Sequence, residues 1–252
     1  MSESIPLYAD ETHRNILLPM ADAGEGVPTN QHVIIHNKEA MLLDPGGSKL
    51  YTKVLANLSH ELKGAKIKHI FCSHQDPDIV AALNGWLLTT DAQAWSSELW
   101  RRFIPHFGSD KLVYSRVAGI PDEGGFIDLG GLKLVVLPAH FLHSVGNLHV
   151  YDPISRILYS GDLGAALGEK ERVVSDFDAH IPYIAGFHRR YMVSNRALRA
   201  WVAMVRTLDV ETIAPQHGAM FVGKPMVERF LVWLEGLECG IDVMEGIYKV
   251  PS

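Results

Sequence analysis

The sequence predicts an α/β protein in which two β-sheets lie at the centre and helices cover the outside. Strand-like and helix-like segments alternate along the chain, and predicted β-hairpins interrupt this alternation. No internal repeat, low-complexity segment or Ser/Pro-rich linker separates the two halves. We therefore expect residues 1–252 to form a single domain.

Strands and helices are predicted to alternate in the first half of the chain. QHVIIHN and EAMLLDPGG form two short strands that end at a turn beginning with Asp44. SKLYTKVLANLSHEL repeats apolar residues at helical spacing, whereas IKHIFC is a short apolar run typical of a buried strand. DIVAALNGWLLTT and AQAWSSELWRRFIPHF are both predicted to be helical, the second broken near Pro105.

The second half contains two predicted hairpins and two predicted helices. GGFIDLGGLKLVVLPAH gives two strands around Gly130-Gly131, and GNLHVYDPISRILYSGD gives a hairpin turning at Asp152-Pro153. NRALRAWVAMVRTL and KPMVERFLVWLEGL are predicted helices, and ETIAPQHG between them is a short strand that continues into a loop. The basic segment HRR, residues 188–190, is expected to be a solvated loop.

Composition argues against several classes of partner. The net charge of −6 and the pI of about 6.1 do not favour nucleic acid or an anionic membrane surface. No apolar run approaches the roughly 20 residues that a membrane span requires, and no secretory signal is visible. The two cysteines are too few for a disulfide framework. These features predict a cytoplasmic protein.

Polar residues that can bind metal follow four of the predicted strands. The stretch FCSHQDPDI places one His and two Asp at alternate positions, and single His or Asp residues follow three later strands. Ligand residues are often carried by loops that a rigid scaffold positions, so this repetition predicts a metal site. The predicted ligands are His74, Asp76, Asp78, His140, Asp162 and His217.

Most of the other histidines are expected to be structural. His143 is the exception, because it lies three residues after His140 and could face the same cavity.

The order of these motifs resembles that of the metallo-β-lactamase superfamily. The matching features are His-x-Asp-x-Asp, Pro-x-His, SGD, a late His-Gly and the early turn LLDPGG. The resemblance implies an αββα sandwich, two mixed sheets flanked by helices, with a dinuclear site in which Asp162 bridges. One ion would then be bound by His74, Asp76, His140 and Asp162, and the other by Asp78, Asp162 and His217.

Two departures from the hydrolytic members of that superfamily favour iron. Asp76 stands where they place a second His, and Ile79 stands where they place a final His. The site is therefore rich in carboxylates, which suit iron or manganese better than zinc. We expect two iron ions, with zinc or manganese as alternatives, and a coordination position that Ile79 leaves open.

HQDPD and HFLHS are also similar to the ligand motifs of flavodiiron proteins, with Asp76 in place of their Glu. Within that branch the chain resembles the oxygen-binding diiron proteins that lack a flavodoxin domain, so no FMN domain is expected here. The resemblance implies dioxygen binding for oxygen sensing, and a homodimer. His143 and Tyr191 are the residues predicted to stabilise bound oxygen.

Two other activities remain open from the sequence. The first is reduction of oxygen or nitric oxide, with electrons supplied by a separate donor protein. The second is hydrolysis through a metal-bound hydroxide, for which Arg189 and Arg190 would bind the anionic substrate. A sensor would instead need a signalling partner protein.

Overall fold

Two β-sheets packed face to face form the centre of the fold. The computed structural model describes residues 3–21, 24, 26–108, 114–168 and 171–251. An apolar cluster between the sheets takes side chains from both of them, such as Met41 and Phe71 from one and Leu134 and Val150 from the other. The predicted arrangement of two central sheets is confirmed.

The first sheet has seven strands that lie side by side in chain order. Strands one to four pair antiparallel, and strands four to seven pair parallel. The strands are β1 (Ile5–Ala9), β2 (His13–Leu17), β3 (His32–His36), β4 (Glu39–Leu43), β5 (Lys66–Phe71), β6 (Gln93–Ser97) and β7 (Val117–Ile120).

The second sheet has six strands in the order β13-β12-β11-β10-β9-β8. Only the pair β11 and β12 is parallel. The strands are β8 (Gly125–Leu129), β9 (Leu132–Pro138), β10 (Leu148–Asp152), β11 (Ile157–Tyr159), β12 (Thr212–Ala214) and β13 (Phe221–Val222).

Helices cover the outer face of each sheet. One apolar cluster joins the first sheet to α1 and α3, and another joins the second sheet to α5, α6 and α7. No helix in the described part of the chain is long and apolar enough to cross a membrane. The helices are α1 (Tyr51–Leu62), α2 (Pro77–Val80), α3 (Leu83–Thr89), α4 (Glu98–Arg101), α5 (Phe177–Tyr191), α6 (Asn195–Val205), α7 (Lys224–Gly236) and α8 (Ile241–Met244), with 3-10 turns at Ser48–Leu50, Ile104–Phe107 and Glu245–Ile247.

The prediction of a helix over AQAWSSELWRRFIPHF is wrong for its first half. Residues Gln93–Ser97 form β6, whose Ala94 and Trp95 pair with β5 on one side and β7 on the other. Pairing on both edges outweighs local helix propensity, so helix begins only at Glu98. DIVAALNGWLLTT is likewise two short helices, α2 and α3, rather than one.

The prediction of a solvated loop at HRR is also wrong, because these residues lie in the last turn of α5. His188 is fully buried, whereas Arg189 and Arg190 face solvent. The buried face of α5 contains two histidines, and Pro182 lies inside the helix. Both features hide the helical pattern from a search for apolar periodicity.

Candidate metal centre

The predicted ligand loops meet at one edge of the sandwich. The carboxyl ends of β9, β11 and β12 share one edge of the second sheet, because β9 and β11 both pair antiparallel with β10 and β11 pairs parallel with β12. The loop after β5 in the first sheet joins them, as Leu148 N donates to the carbonyl of Ser73 at 2.9 Å. The fold therefore brings distant parts of the chain to a single site.

Four side chains form one compact group. His143 Nε2 lies 2.9 Å from Asp162 Oδ2 and 3.6 Å from Asp76 Oδ2. His74 Nε2 lies 3.6 Å from Asp76 Oδ2 and 3.7 Å from Asp162 Oδ2. One nitrogen or oxygen atom from each residue lies within 4.8 Å of the others, which is compatible with a shared metal ion.

A second group lies on the other side of Asp162. His217 Nε2 is 3.3 Å from Asp78 Oδ2 and 3.4 Å from Asp162 Oδ1. The two oxygens of Asp162 therefore face different imidazoles, Oδ2 towards His74 and His143 and Oδ1 towards His217. A carboxylate placed in this way can bridge two ions.

The residues present fit a pair of bound metal ions. His74 Nε2 and Asp162 Oδ1 are buried and lack a hydrogen-bond partner among the described residues, a condition that a metal ion would relieve. His217 Nδ1 lies 2.8 Å from the carbonyl oxygen of Pro28, which can only accept, so this nitrogen carries a proton and Nε2 can be a ligand. His74 Nδ1 is similarly held, 3.0 Å from Ser73 Oγ.

The histidines and aspartates of the site shift one another's pKa values. Burial alone would raise the pKa of Asp162, but the charges of His74 and His217 and the hydrogen bond with His143 together lower it. Burial would lower the pKa of His217, yet Asp78 and Asp162 raise it to about 9. The raised pKa values of His74 and His217 favour protons on these two imidazoles when metal is absent, so a bound cation has to replace protons.

The first group contains His143, whereas the sequence predicted His140 at this place. His140 Nε2 donates to the carbonyl oxygen of Asp122 at 2.7 Å and so points away from the cluster. Phe141 has a left-handed backbone (φ +67°), and its N–H donates to the carbonyl of Ser144 at 2.7 Å, which reverses the loop. This reversal turns residue 143 rather than residue 140 towards Asp162. The only signal for it in the sequence was the presence of two histidines in HFLHS.

Tyr191 lies at the edge of the site beside His143. Its ring stacks on Phe187 with centroids 4.6 Å apart, and it lies 5.5 Å from the imidazole of His143. The side chain is 55% exposed, which places it at the mouth of the site. Arg190, considered for anion binding, contacts Met244 of α8 instead.

Ile79 belongs to the core and not to the mouth of the site. It is fully buried within the apolar cluster that joins the first sheet to α1 and α3. Its apolar character is therefore explained by packing alone.

Comparisons with known proteins identify the family and the fold of the chain. The family described as ODP family beta lactamase matches residues 27–218. A structure of a peroxy diiron species of the chemotaxis sensor ODP is 42% identical, with a TM-score of 0.87 over 98% of this chain and 100% of that one. The apo state of the chemotaxis sensor ODP from T. denticola is 41% identical, with a TM-score of 0.86 over 97% of this chain and 99% of that one.

More distant relatives share the fold over part of their length. A flavo di-iron protein variant from Thermotoga maritima is 19% identical, with a TM-score of 0.77 over 92% of this chain and 60% of that one. The chain spans 55% and 61% of the length of two curated relatives that it matches, at 22% and 24% identity.

Proposed function

Because the chain belongs to the ODP family of β-lactamase-fold proteins, we propose that it is a non-haem diiron protein that binds dioxygen and serves in oxygen sensing. The observation that carries the proposal is the position of Asp162. Its two buried oxygens face separate imidazoles and are the natural bridge between two ions. The similar sensor, described as a peroxy diiron species, supports the extension to dioxygen.

The donor set supports iron. Three imidazoles and three carboxylates would hold the pair, with His74, Asp76 and His143 on one side, Asp78 and His217 on the other, and Asp162 between them. Such a set is richer in oxygen than structural zinc sites usually are. A bound pair of ferrous ions would supply the redox chemistry that dioxygen binding requires.

The protein's own contribution is to hold and enclose this site. Asp162 and His74 are buried, so their orientation is fixed by the surrounding core. We assign His143 as a ligand, and the rings of Phe187 and Tyr191 lie beside its imidazole, with centroids 5.9 and 5.5 Å away. Tyr191 thus lies at the mouth of the site.

The proposed sensing role requires a partner to which the oxygen state is passed. The similar structures are described as those of a chemotaxis sensor, which supports a signalling partner protein. We further propose that residues 1–252 act as one domain in a cytoplasmic homodimer.

Anaerobic loading with ferrous iron followed by admission of oxygen tests the proposal. We expect two iron ions per chain and a visible absorption band that appears with oxygen and persists. Steady oxygen consumption with an added electron donor and no persistent band would instead favour a reductase. A protein that takes up only zinc and hydrolyses esters or phosphodiesters would overturn the proposal.

A further inference from the structure

A chain of hydrogen bonds outside the ligand set connects Asp76 to helix α4. Trp100 Nε1 lies 3.0 Å from Ser144 Oγ, and Ser144 Oγ lies 2.6 Å from Gln75 Oε1. Gln75 Nε2 in turn lies 2.8 Å from Asp76 Oδ1. Trp100, Ser144 and Gln75 lie on three separate segments and are linked in series. Gln75, the last of them, donates to Asp76 Oδ1.

The direction of every bond in this chain is fixed by chemistry. The indole N–H of Trp100 can only donate, so Ser144 Oγ accepts from it and gives its own proton to Gln75 Oε1. Gln75 must then present its amide N–H groups to Asp76, whose ionised carboxylate can only accept. All donors point towards the negative charge, an order in which each bond strengthens the next.

The carboxylate of Asp76 could instead cap the N-terminus of helix α2, and this chain of hydrogen bonds opposes that role. It is the N-cap residue of α2, and aspartate at that position usually accepts a bond from the second or third N–H of the helix. Here its side chain makes no capping bond. Oδ1 is held by Gln75, and Oδ2 faces His74 and His143 at 3.6 Å.

We propose that Gln75, Ser144 and Trp100 are positioning residues that keep Asp76 turned towards the first metal position and away from capping α2. The proposal rests on the proposed function only in treating Asp76 as a ligand. Asp76 is one-third exposed, so without these bonds water and the N-terminus of α2 would compete for its oxygens. The set also explains why Ser144, on the loop that carries His143, is buried.

Binding of Co²⁺ to the full metal-free chain tests this role without involving oxygen. The variants are Ser144→Ala, Gln75→Met and Trp100→Phe, each of which removes one link. We expect Ser144→Ala and Gln75→Met to weaken Co²⁺ binding at one of two sites on the order of 10-fold, as is usual when a hydrogen bond behind a ligand is lost. The visible Co²⁺ spectrum of that site should also change, and Trp100→Phe should have the same effect in weaker form.

Matched controls separate positioning from general loss of stability. Trp95→Phe removes an equivalent indole bond, to His69 Nδ1 at 3.0 Å, and Ser155→Ala removes a hydroxyl bond to Asp152 at 2.7 Å, both outside the candidate metal ligands. Both controls should keep the wild-type Co²⁺ affinity and spectrum. Ser144→Thr, which retains the hydroxyl group, should restore most of the affinity lost in Ser144→Ala.

The outcomes distinguish this role from the proposed function. Wild-type Co²⁺ binding in Ser144→Ala and Gln75→Met, beside defective binding in Asp76→Ala, would overturn the positioning role alone. Unchanged binding in Asp76→Ala would overturn the ligand assignment and the positioning role together. A normal Co²⁺ response in a protein that shows no reaction with oxygen would refute oxygen binding and leave the positioning role intact.

Discussion

Two His–Asp pairs in this molecule, one fully buried and one partly buried, have similar His–Asp distances but different surroundings. His13 Nε2 lies 2.7 Å from Asp152 Oδ2, and His143 Nε2 lies 2.9 Å from Asp162 Oδ2. Asp152 Oδ2 also accepts from Asn15 and Ser155 at 2.7 Å, and its Oδ1 accepts from the N–H of Ile154 at 3.0 Å. Asp162 Oδ1 has no hydrogen-bond partner.

The difference separates a structural pair from the candidate metal centre. Both oxygens of Asp152 are satisfied by protein groups, so this carboxylate needs no further partner. Asp162 lies among three imidazoles and leaves one oxygen and the neighbouring His74 Nε2 without partners. A short His–Asp distance therefore does not identify a metal site, whereas an imidazole nitrogen and a carboxylate oxygen that both lack partners beside it support one.

Exchanging the two aspartates for asparagine should give opposite results. Asp162→Asn should reduce the bound metal from two ions to at most one, because the amide nitrogen cannot bridge. Asp152→Asn should keep both ions but lower the free energy of unfolding by about 1.5–3 kcal/mol, since a neutral amide replaces a buried carboxylate that accepts several hydrogen bonds. Metal analysis and urea denaturation of both variants check this. The comparison fails if Asp152→Asn loses metal and Asp162→Asn does not.

The two histidines of the 138–148 loop offer a second, narrower test. His143→Ala should lose at least one ion, because its Nε2 faces both Asp76 and Asp162. His140→Ala should keep both ions and lose only a bond to a backbone carbonyl, worth about 0.5–1.5 kcal/mol of unfolding free energy. Iron content per chain, measured on the two variants, decides whether His143 or His140 is the ligand. Loss of metal in His140→Ala alone would restore the assignment expected from the sequence.

The two regions should lose stability at opposite ends of the pH scale. His217 has a pKa raised from 6.5 to about 9, so in metal-free protein its contribution is complete below pH 6.5 and is lost as the pH rises through 9. Burial raises the pKa of Asp152, but hydrogen bonds from His13 and its neighbours lower it overall. Its contribution is therefore present above the ordinary aspartate pKa of 3.8 and is lost as the pH falls through the folded pKa.

Metal affinity should depend on pH, because metal binding displaces the proton of His217. A metal ion has to displace the proton from His217, so affinity at that position should rise by about 10-fold per pH unit between pH 7 and 9. Competition titrations at pH 7, 8 and 9, paired with urea denaturation of the metal-free protein, measure both effects. An affinity that is flat across this range would contradict the raised pKa of His217 in the metal-free protein, and metal binding by His217→Ala then tests its role as a ligand separately.

Ser155→Ala should give the smallest effect. It removes one of the three donors to Asp152 Oδ2 and should lower the free energy of unfolding by about 1 kcal/mol, because His13 and Asn15 remain in place. Metal content and the iron spectrum should match those of the wild type. A change in either would mean that the two polar regions are coupled through the sandwich core.

Much of the fold could be predicted because its signals are local. The strands ending at Leu43, Phe71 and Pro138 are apolar runs closed by turn or polar residues, and the structure has them nearly as predicted. Strand β6 and helix α5 could not be found in this way. The first is set by its pairing on both edges, and the second contains buried histidines that interrupt its apolar pattern.

The sequence by itself determined the family, the αββα architecture and the strand ends that supply His and Asp to one edge. These are properties of residue type and order along the chain. Only the tertiary structure decided that His143 rather than His140 faces Asp162, that Gln75 and Ser144 support Asp76, and that both oxygens of Asp152 are satisfied by protein donors. The physical reason is that a side chain's direction depends on its backbone torsions and on partners from distant segments, and both are fixed only once the sheets have packed.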